Sequence, residues 1–203
     1  MGGSLGTDSG AIENLPGQSS RVPAALQTLY STAVNVDLAA TPLTPAVPGL
    51  QAFHTSILLN GAEYYFDKKG IVCGGDMRSH RMFTKIHGKT LVKTMGLTTL
   101  TSEDMCAALR PYFESGTYDM LRKNCNSFSD CALFYLLDMR LDAQHRGLEQ
   151  LGATVDMHAS VVQMLTEGKY HPNPKAAEFD IEQVIKRIDW QKGFMDPALF
   201  SNR

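Results

Sequence analysis

Residues 122–130 read RKNCNSFSD, and a second informative stretch, FHTSI, lies upstream at residues 53–57. Asparagine is a preferred cap for a helix N-terminus, so Asn124 predicts a helix that begins at Cys125 and ends near Met139. Residues of this segment are apolar on nearly all sides, which is typical of a central, buried helix. The chain is therefore expected to pack around a helix that carries a cysteine in its first turn.

The upstream stretch is typical of a β-hairpin. Side chains alternate along residues 53–59, which places His54 and Thr55 on opposite faces of a strand. An Asn-Gly pair at 60–61 predicts a type I′ turn into a second strand at 62–66. The histidine is therefore expected near the start of a strand in an antiparallel sheet.

Other segments complete a small α+β chain. Further strands are predicted at residues 33–38 and 90–97. A helix is predicted from the cap Thr101 to about residue 113. Residues 68–89 have weak periodicity and predict a long loop with room for one short strand.

Three regions are expected along the chain. Residues 1–24 are rich in Gly, Ser and Pro and predict a disordered tail, and residues 25–139 predict the folded core. Residues 140–203 predict a helical extension that packs on this core, with helices near 158–166 and 180–188. Trp190 and Phe200 are large and apolar and are expected to be buried as well.

Composition excludes several classes of protein. The 203 residues are 43% hydrophobic and 20% charged, with a net charge of −2, which is ordinary for a globular protein and lacks the basic excess of a nucleic-acid binder. Neither a transmembrane segment nor a secretory signal is expected. The four cysteines form no C-x-x-C pair and fit no zinc pattern, so we expect no metal, no cofactor and reduced thiols. The cytoplasm is the expected compartment, with the nucleus as an alternative.

A thiol and an imidazole can together perform acyl transfer. Positive potential at a helix N-terminus stabilises a thiolate, so Cys125 is the candidate nucleophile. His54 is the candidate base, which later acts as the acid for the leaving group. Asn124 and Asn126 flank the nucleophile, and each is a candidate helix cap or oxyanion donor. Spacing in sequence leaves open whether Cys125 and His54 meet in space.

The chain resembles the PPPDE family, permuted-papain-fold peptidases that include the deSUMOylating isopeptidases. The motifs that carry the resemblance are NVDL at 35–38, FHTSI at 53–57, EYYF at 63–66, GIVC at 70–73, YDML at 118–121 and NCNSFS at 124–129. The resemblance implies a circularly permuted papain-like fold, with a small antiparallel sheet packed on the helix that carries the cysteine. It also implies a catalytic dyad of His54 and Cys125. Lys123 departs from the family pattern, which often has histidine there.

The activity that this resemblance implies is removal of a ubiquitin-like modifier, SUMO or ubiquitin, from a conjugated target protein. Two alternatives stay open. A thioesterase that depalmitoylates proteins, or a lipid acyltransferase-like hydrolase, would use the same dyad. A non-catalytic scaffold would keep the fold and only bind a partner. The sequence leaves the modifier, the target and the oligomeric state undetermined.

Overall fold

The computed structural model describes residues 32–43, 51–146, 168 and 170–195, without the side chains of 85–87 and 194–195. All described residues lie in one structural unit, Thr32–Arg203. The predicted tail at residues 1–24, the predicted helix near residues 158–166 and Phe200 lie outside them.

Within the described residues the chain forms one five-stranded antiparallel sheet. Its strands are β1 (Val34–Pro42), β2 (Phe53–Leu59), β3 (Ala62–Asp67), β4 (Gly70–Gly74) and β5 (Leu91–Thr98), in the order β4-β3-β2-β1-β5. Asn60 and Gly61 join β2 to β3 with φ values of 50° and 80°, as a type I′ turn requires. The hairpin prediction is therefore confirmed.

Four α-helices accompany the sheet in the described part of the chain. They are α1 (Arg81–His87), α2 (Ser102–Leu109), α3 (Cys125–Leu137) and α4 (Ile181–Met195). Two 3₁₀ turns occupy Ala143–Arg146 and Pro174–Ala176.

Two of these helices differ from the sequence-based expectation. The prediction of a loop over residues 68–89 was wrong for α1, because a helix of seven residues is too short to show a clear apolar period. The short strand anticipated in that region is β4. The second helix, α2, ends earlier than predicted, since Pro111 has no backbone N–H with which to continue the hydrogen-bond series.

The helix with the cysteine, α3, forms the centre of the core. It packs against β2, β3, β5, α2 and α4. Phe128, Ala132 and Leu133 on this helix are completely buried. The prediction of a central helix that is buried on nearly all sides is therefore confirmed.

The C-terminal helix α4 packs on the same core. Val184, Ile185 and Ile188 are buried in the cluster that includes α3. Trp190, by contrast, is 64% exposed, so the expectation that it is buried was wrong. Two positions correspond to about 200° around a helix, which turns Trp190 away from the side that buries Ile188. None of the helices in the described ranges combines the length and apolar character needed to cross a bilayer.

An arginine links α3 to α4. The guanidinium of Arg140 donates to both carboxylate oxygens of Asp130, at 2.9 and 2.8 Å, and to both oxygens of Glu182, at 3.0 and 2.7 Å. Asp130 lies on α3 and is completely buried. Bidentate pairing of this kind fixes the relative position of the two helices as well as compensating the buried charge.

Candidate active site

A capping box starts α3. The side-chain oxygen of Asn124 accepts hydrogen bonds from the backbone N–H groups of Asn126 and Ser127, at 2.8 and 3.1 Å. The Ser127 hydroxyl accepts the N–H of Asn124 in return, at 3.2 Å. The amide nitrogen of Asn124 donates to the carbonyl of Met120, at 2.8 Å. Because both ends of its amide are engaged, Asn124 acts as a structural cap, and two N–H groups of the first turn are already satisfied.

The turn that leads into this cap is held by a buried carboxylate. Asp119 and Lys123 exchange backbone hydrogen bonds at 2.9 and 3.0 Å. The Asp119 carboxylate accepts hydrogen bonds from the backbone N–H groups of Leu121 and Arg122. It also accepts two from the C-terminal segment, from the Asn173 N–H and the Tyr170 hydroxyl. The loop before Cys125 is therefore fixed both locally and by residues far along the chain.

Lys123, which departs from the family pattern, is surrounded by aromatic rings. Its ammonium group lies over the rings of Phe66, Phe113 and Phe179, at 6.0, 5.8 and 5.2 Å from the ring centroids. Burial lowers the pKa of Lys123 below its ordinary value, and the charge of Glu114 opposes that effect. Cation–π contacts with three aromatic rings stabilise the buried charge. These contacts also link Phe179, in the segment before α4, to Phe66 on β3.

Cys125 is the first residue of α3 and is 4% exposed. Its thiol donates to the side-chain oxygen of Asn126, with 3.7 Å between sulfur and oxygen. A hydrogen bond also joins it to the phenol of Tyr118. The pKa of that phenol is raised well above its ordinary value, first by burial and then by the negative charge that Cys125 carries when ionised. Tyr118 therefore stays protonated and can donate to a thiolate, a role that the sequence analysis did not identify.

The oxygen and the nitrogen of the Asn126 side-chain amide differ in their hydrogen bonding. Its side-chain oxygen accepts from the Thr55 hydroxyl at 2.8 Å, besides the thiol of Cys125. Its amide nitrogen is buried and has no hydrogen-bond partner among the described residues. An unsatisfied buried N–H is costly, so a group that supplies the missing acceptor would bind favourably there. This donor belongs to the residue that follows Cys125 and is therefore a candidate oxyanion donor.

Direct contacts join the strand of His54 to the first turn of α3. The Thr55 hydroxyl lies 2.8 Å from the Asn126 oxygen and 2.9 Å from the Ser129 hydroxyl. Pairing between β2 and β3 covers only Ile57↔Tyr64, Leu58↔Glu63 and Leu59↔Ala62, so the strands part before residues 54 and 55. The start of α3 lies at this divergence, because Tyr118, which contacts Cys125, packs against Phe66 of β3 at 5.5 Å. The segments that carry His54 and Cys125 are thus adjacent, and the approach of the sulfur to the ring stays a prediction.

His54 is 7% exposed and is enclosed by the segment that follows β4. Its Nε2 lies 2.7 Å from the Ser79 hydroxyl. Its ring lies 4.6 Å from the ring of His80 and 5.2 Å from that of Phe83, between centroids. Burial, with a smaller contribution from the charge of His80, lowers the pKa of His54 to about 3. The ring is therefore neutral at physiological pH, and one of its two nitrogens has a lone pair.

The neighbouring His80 is not part of a solvated basic surface, although the basic sequence around it favours that interpretation. It is 1% exposed. Its two ring nitrogens lie 2.7 Å from the Thr41 hydroxyl and 2.8 Å from the Ser56 hydroxyl. Within the residues that the structure describes, no group of three or more His, Cys, Asp or Glu side chains is placed to hold a metal ion.

Sequence reasoning missed Tyr118, Ser79 and Glu63. Glu63 is completely buried on β3, where it accepts the Ser79 hydroxyl at 2.5 Å and the Ser79 backbone N–H at 3.3 Å. The available signal was strand alternation, which places Glu63 on the same face as Tyr65, and the ring of Tyr65 lies 6.3 Å from that of His54. Nothing local in the sequence pairs Ser79 with His54.

Comparison with known families agrees with this architecture. The family model described as the PPPDE putative peptidase domain matches residues 27–166, which is more than half of the chain. A search of curated proteins finds no match. The matched range includes the sheet, the segment that encloses His54 and the helix that begins at Cys125. With its antiparallel sheet packed on this central helix, the chain has an α+β papain-like fold and belongs to the PPPDE peptidase family.

Proposed function

We propose that this protein is a cysteine isopeptidase that removes a ubiquitin-like modifier from protein conjugates, with Cys125 as nucleophile and His54 as base. One observation carries the proposal: in a chain of a peptidase family, a thiol stands at the capped start of a buried helix, and Thr55 ties that helix to the strand of His54. Helix-start position and a neighbouring hydrogen-bond donor both favour the thiolate.

The chemistry follows from the protonation states of the two groups. His54 is neutral and takes the proton of the Cys125 thiol. The thiolate attacks the carbonyl carbon of the modifier's C-terminal glycine, and the Asn126 amide donates to the oxyanion that forms. The imidazolium then protonates the departing lysine amine, which leaves a thioester. Water, deprotonated by His54, releases the modifier with a free carboxylate and restores the thiol.

The choice of substrate rests on the family. A PPPDE peptidase domain favours a protein substrate, and the resemblance to deSUMOylating isopeptidases favours a modifier with an extended C-terminal tail. All four cysteines carry thiols, which supports a reducing compartment, the cytoplasm or the nucleus.

Activity-based probes test this function. The full chain is incubated with ubiquitin and with SUMO, each ending in a cysteine-reactive group, and the labelled residue is identified by mass spectrometry. We expect covalent labelling at Cys125 by one of the two probes and none in Cys125→Ser. Labelling by neither probe, with the thiol still reactive toward a small alkylating agent, would reject the modifier as substrate.

A further inference from the structure

A chain of two hydrogen bonds leads from His54 to a buried carboxylate. Nε2 of His54 lies 2.7 Å from the Ser79 hydroxyl, and that hydroxyl lies 2.5 Å from the carboxylate of Glu63. The backbone N–H of Ser79 donates to the second oxygen of the same carboxylate, at 3.3 Å. Glu63 is completely buried, so this carboxylate has little access to water. Ser79 is therefore held on Glu63 by both its backbone and its side chain.

The direction of these bonds fixes the tautomer of the histidine. A serine hydroxyl has one hydrogen, and an ionised carboxylate can only accept. Since Ser79 donates its hydrogen to Glu63, the oxygen of Ser79 can only accept from His54. Nε2 must then carry a hydrogen. A neutral imidazole has one N–H, so Nδ1 is the nitrogen with the lone pair.

We propose that Ser79 and Glu63 are positioning residues that hold His54 in the Nε2–H tautomer and leave Nδ1 as the proton acceptor for Cys125. This inference rests on the proposed function, because it assigns the base to the Cys125 thiol. In the reaction the thiol proton moves to Nδ1 while Nε2 keeps its own hydrogen. The imidazolium, still bonded to Ser79, then gives the Nδ1 proton to the leaving amine.

The surroundings of His54 agree with this assignment. Among the described residues, the titratable groups against its ring are Tyr65 from β3 and His80 from the segment after β4, and Glu63 lies beyond Ser79. His80 is itself engaged by Thr41 and Ser56, and its Nε2 lies 3.6 Å from the Glu63 carboxylate. The carboxylate of Glu63 therefore lies beside the His80 ring and is connected to His54 through the Ser79 hydroxyl.

The tautomer is measured directly in the wild-type chain. Nitrogen-15 NMR of histidine-labelled protein distinguishes a ring nitrogen that carries hydrogen from one that does not, and His54→Gln assigns the signals among the six histidines. We expect neutral His54 with its hydrogen on Nε2. A hydrogen on Nδ1 would overturn the proposal.

The reactivity of the Cys125 thiol tests the role of the relay, which is the hydrogen-bonded chain from His54 through Ser79 to Glu63. The rate of alkylation of Cys125 by iodoacetamide is followed by peptide mass spectrometry across a range of pH. Ser79→Ala and Glu63→Gln should lower the rate at neutral pH by at least about 10-fold, whereas Ser79→Thr, which keeps the hydroxyl, should stay near the wild-type rate. Ser56→Ala is the matched control, because Ser56 bonds His80 and not His54. Wild-type reactivity in Ser79→Ala would overturn the proposal.

These readouts separate the relay from the substrate. Alkylation and NMR use no modifier, so a protein that cleaves neither ubiquitin nor SUMO conjugates can still show the predicted tautomer and the predicted loss of reactivity. That result would reject the proposed substrate and support the relay. Where a conjugate is cleaved, the relay variants should lower kcat with little change in KM, because neither side chain is placed to touch the substrate.

Discussion

The hydroxyl of Thr55 lies 2.8 Å from the side-chain oxygen of Asn126, and this bond joins β2 to the first turn of α3. Residue 54, before it, is the candidate base, and residue 125 is the candidate nucleophile. The bond therefore sets the distance between the two segments on which the chemistry depends. Both groups are buried, so its loss is costly.

Removal of that bond should reduce both stability and activity. Thr55→Val keeps the shape of the side chain and leaves the Asn126 oxygen without its hydroxyl donor, so we expect a loss of about 1–3 kcal/mol in the free energy of unfolding. The catalytic rate should fall as well, because Asn126 and the start of α3 lose their tie to β2. Urea denaturation and turnover of a modifier conjugate measure the two effects. Thr90→Val is the control, since Thr90 bonds Thr41 instead, and an equal loss of activity there would contradict the assignment.

The two buried cysteines of α3 should behave differently. Cys125→Ser should abolish hydrolysis and preserve the fold, because serine is nearly isosteric with cysteine but far less acidic. Cys131→Ser, six residues further along the same helix, should keep the turnover of the wild-type chain. Active-site labelling followed by peptide mapping checks the choice of thiol. Label on Cys131 in place of Cys125 would show that the nucleophile is wrongly assigned.

The side-chain amide nitrogen of Asn126 should contribute to the catalytic rate and contribute little to substrate binding. Asn126→Asp keeps an acceptor for Thr55 and replaces the unpartnered N–H group with an oxygen. We expect kcat to fall by about 10²–10³-fold, the usual cost of one lost oxyanion donor, with KM nearly unchanged. Steady-state kinetics measure this split. A rise in KM with constant kcat would mean that Asn126 binds the ground state and not the oxyanion.

Stability should decrease in mild acid because His54 is buried in its neutral form. Its pKa is about 3 in the folded chain and 6.5 ordinarily, so between these values the unfolded chain binds a proton that the folded chain does not. The free energy of unfolding should therefore fall as pH drops below 6.5, by up to about 1.4 kcal/mol per pH unit from this residue. Burial also lowers the pKa of His80, which acts in the same direction.

Comparison of two chains isolates the contribution of His54. Urea denaturation at several pH values between 7 and 4 should give a flatter profile for His54→Gln than for the wild-type chain. Identical slopes would mean that His54 binds its proton equally well in the folded and the unfolded chain, contrary to its buried environment.

Two residues of α4 should differ sharply in their contribution to stability. Ile188 is completely buried, and Ile188→Ala should cost about 2–5 kcal/mol through lost burial and the cavity that remains. Trp190, 64% exposed, is the matched control on the same helix, and Trp190→Ala should change stability by less than about 1 kcal/mol. Chemical denaturation measures both. Equal effects would mean that α4 does not pack on the core through the side that carries Ile188.

Local features of the chain were predictable from the sequence by itself. The helix that begins at Cys125 follows from the capping residue Asn124 and an apolar segment, and the hairpin follows from an Asn-Gly turn between alternating strands. These signals arise from hydrogen bonds and backbone conformations within a few residues, so they are present in the sequence without knowledge of the fold. They were also enough to nominate Cys125 and His54.

The tertiary structure alone decided which side chains surround those two residues. Thr55 and Asn126 are 71 positions apart, and Ser79 and His54 are 25 apart, so no sequence period relates the members of either pair. The short helix α1 and the burial of His80 likewise depend on how the segment after β4 folds over the sheet. Trp190 is exposed because α4 packs on the core through the side that carries Ile188, and hydrophobicity by itself does not specify which side of the helix is buried. A polar side chain becomes a hydrogen-bond partner only when the fold excludes water around it, and that exclusion is set by the whole chain.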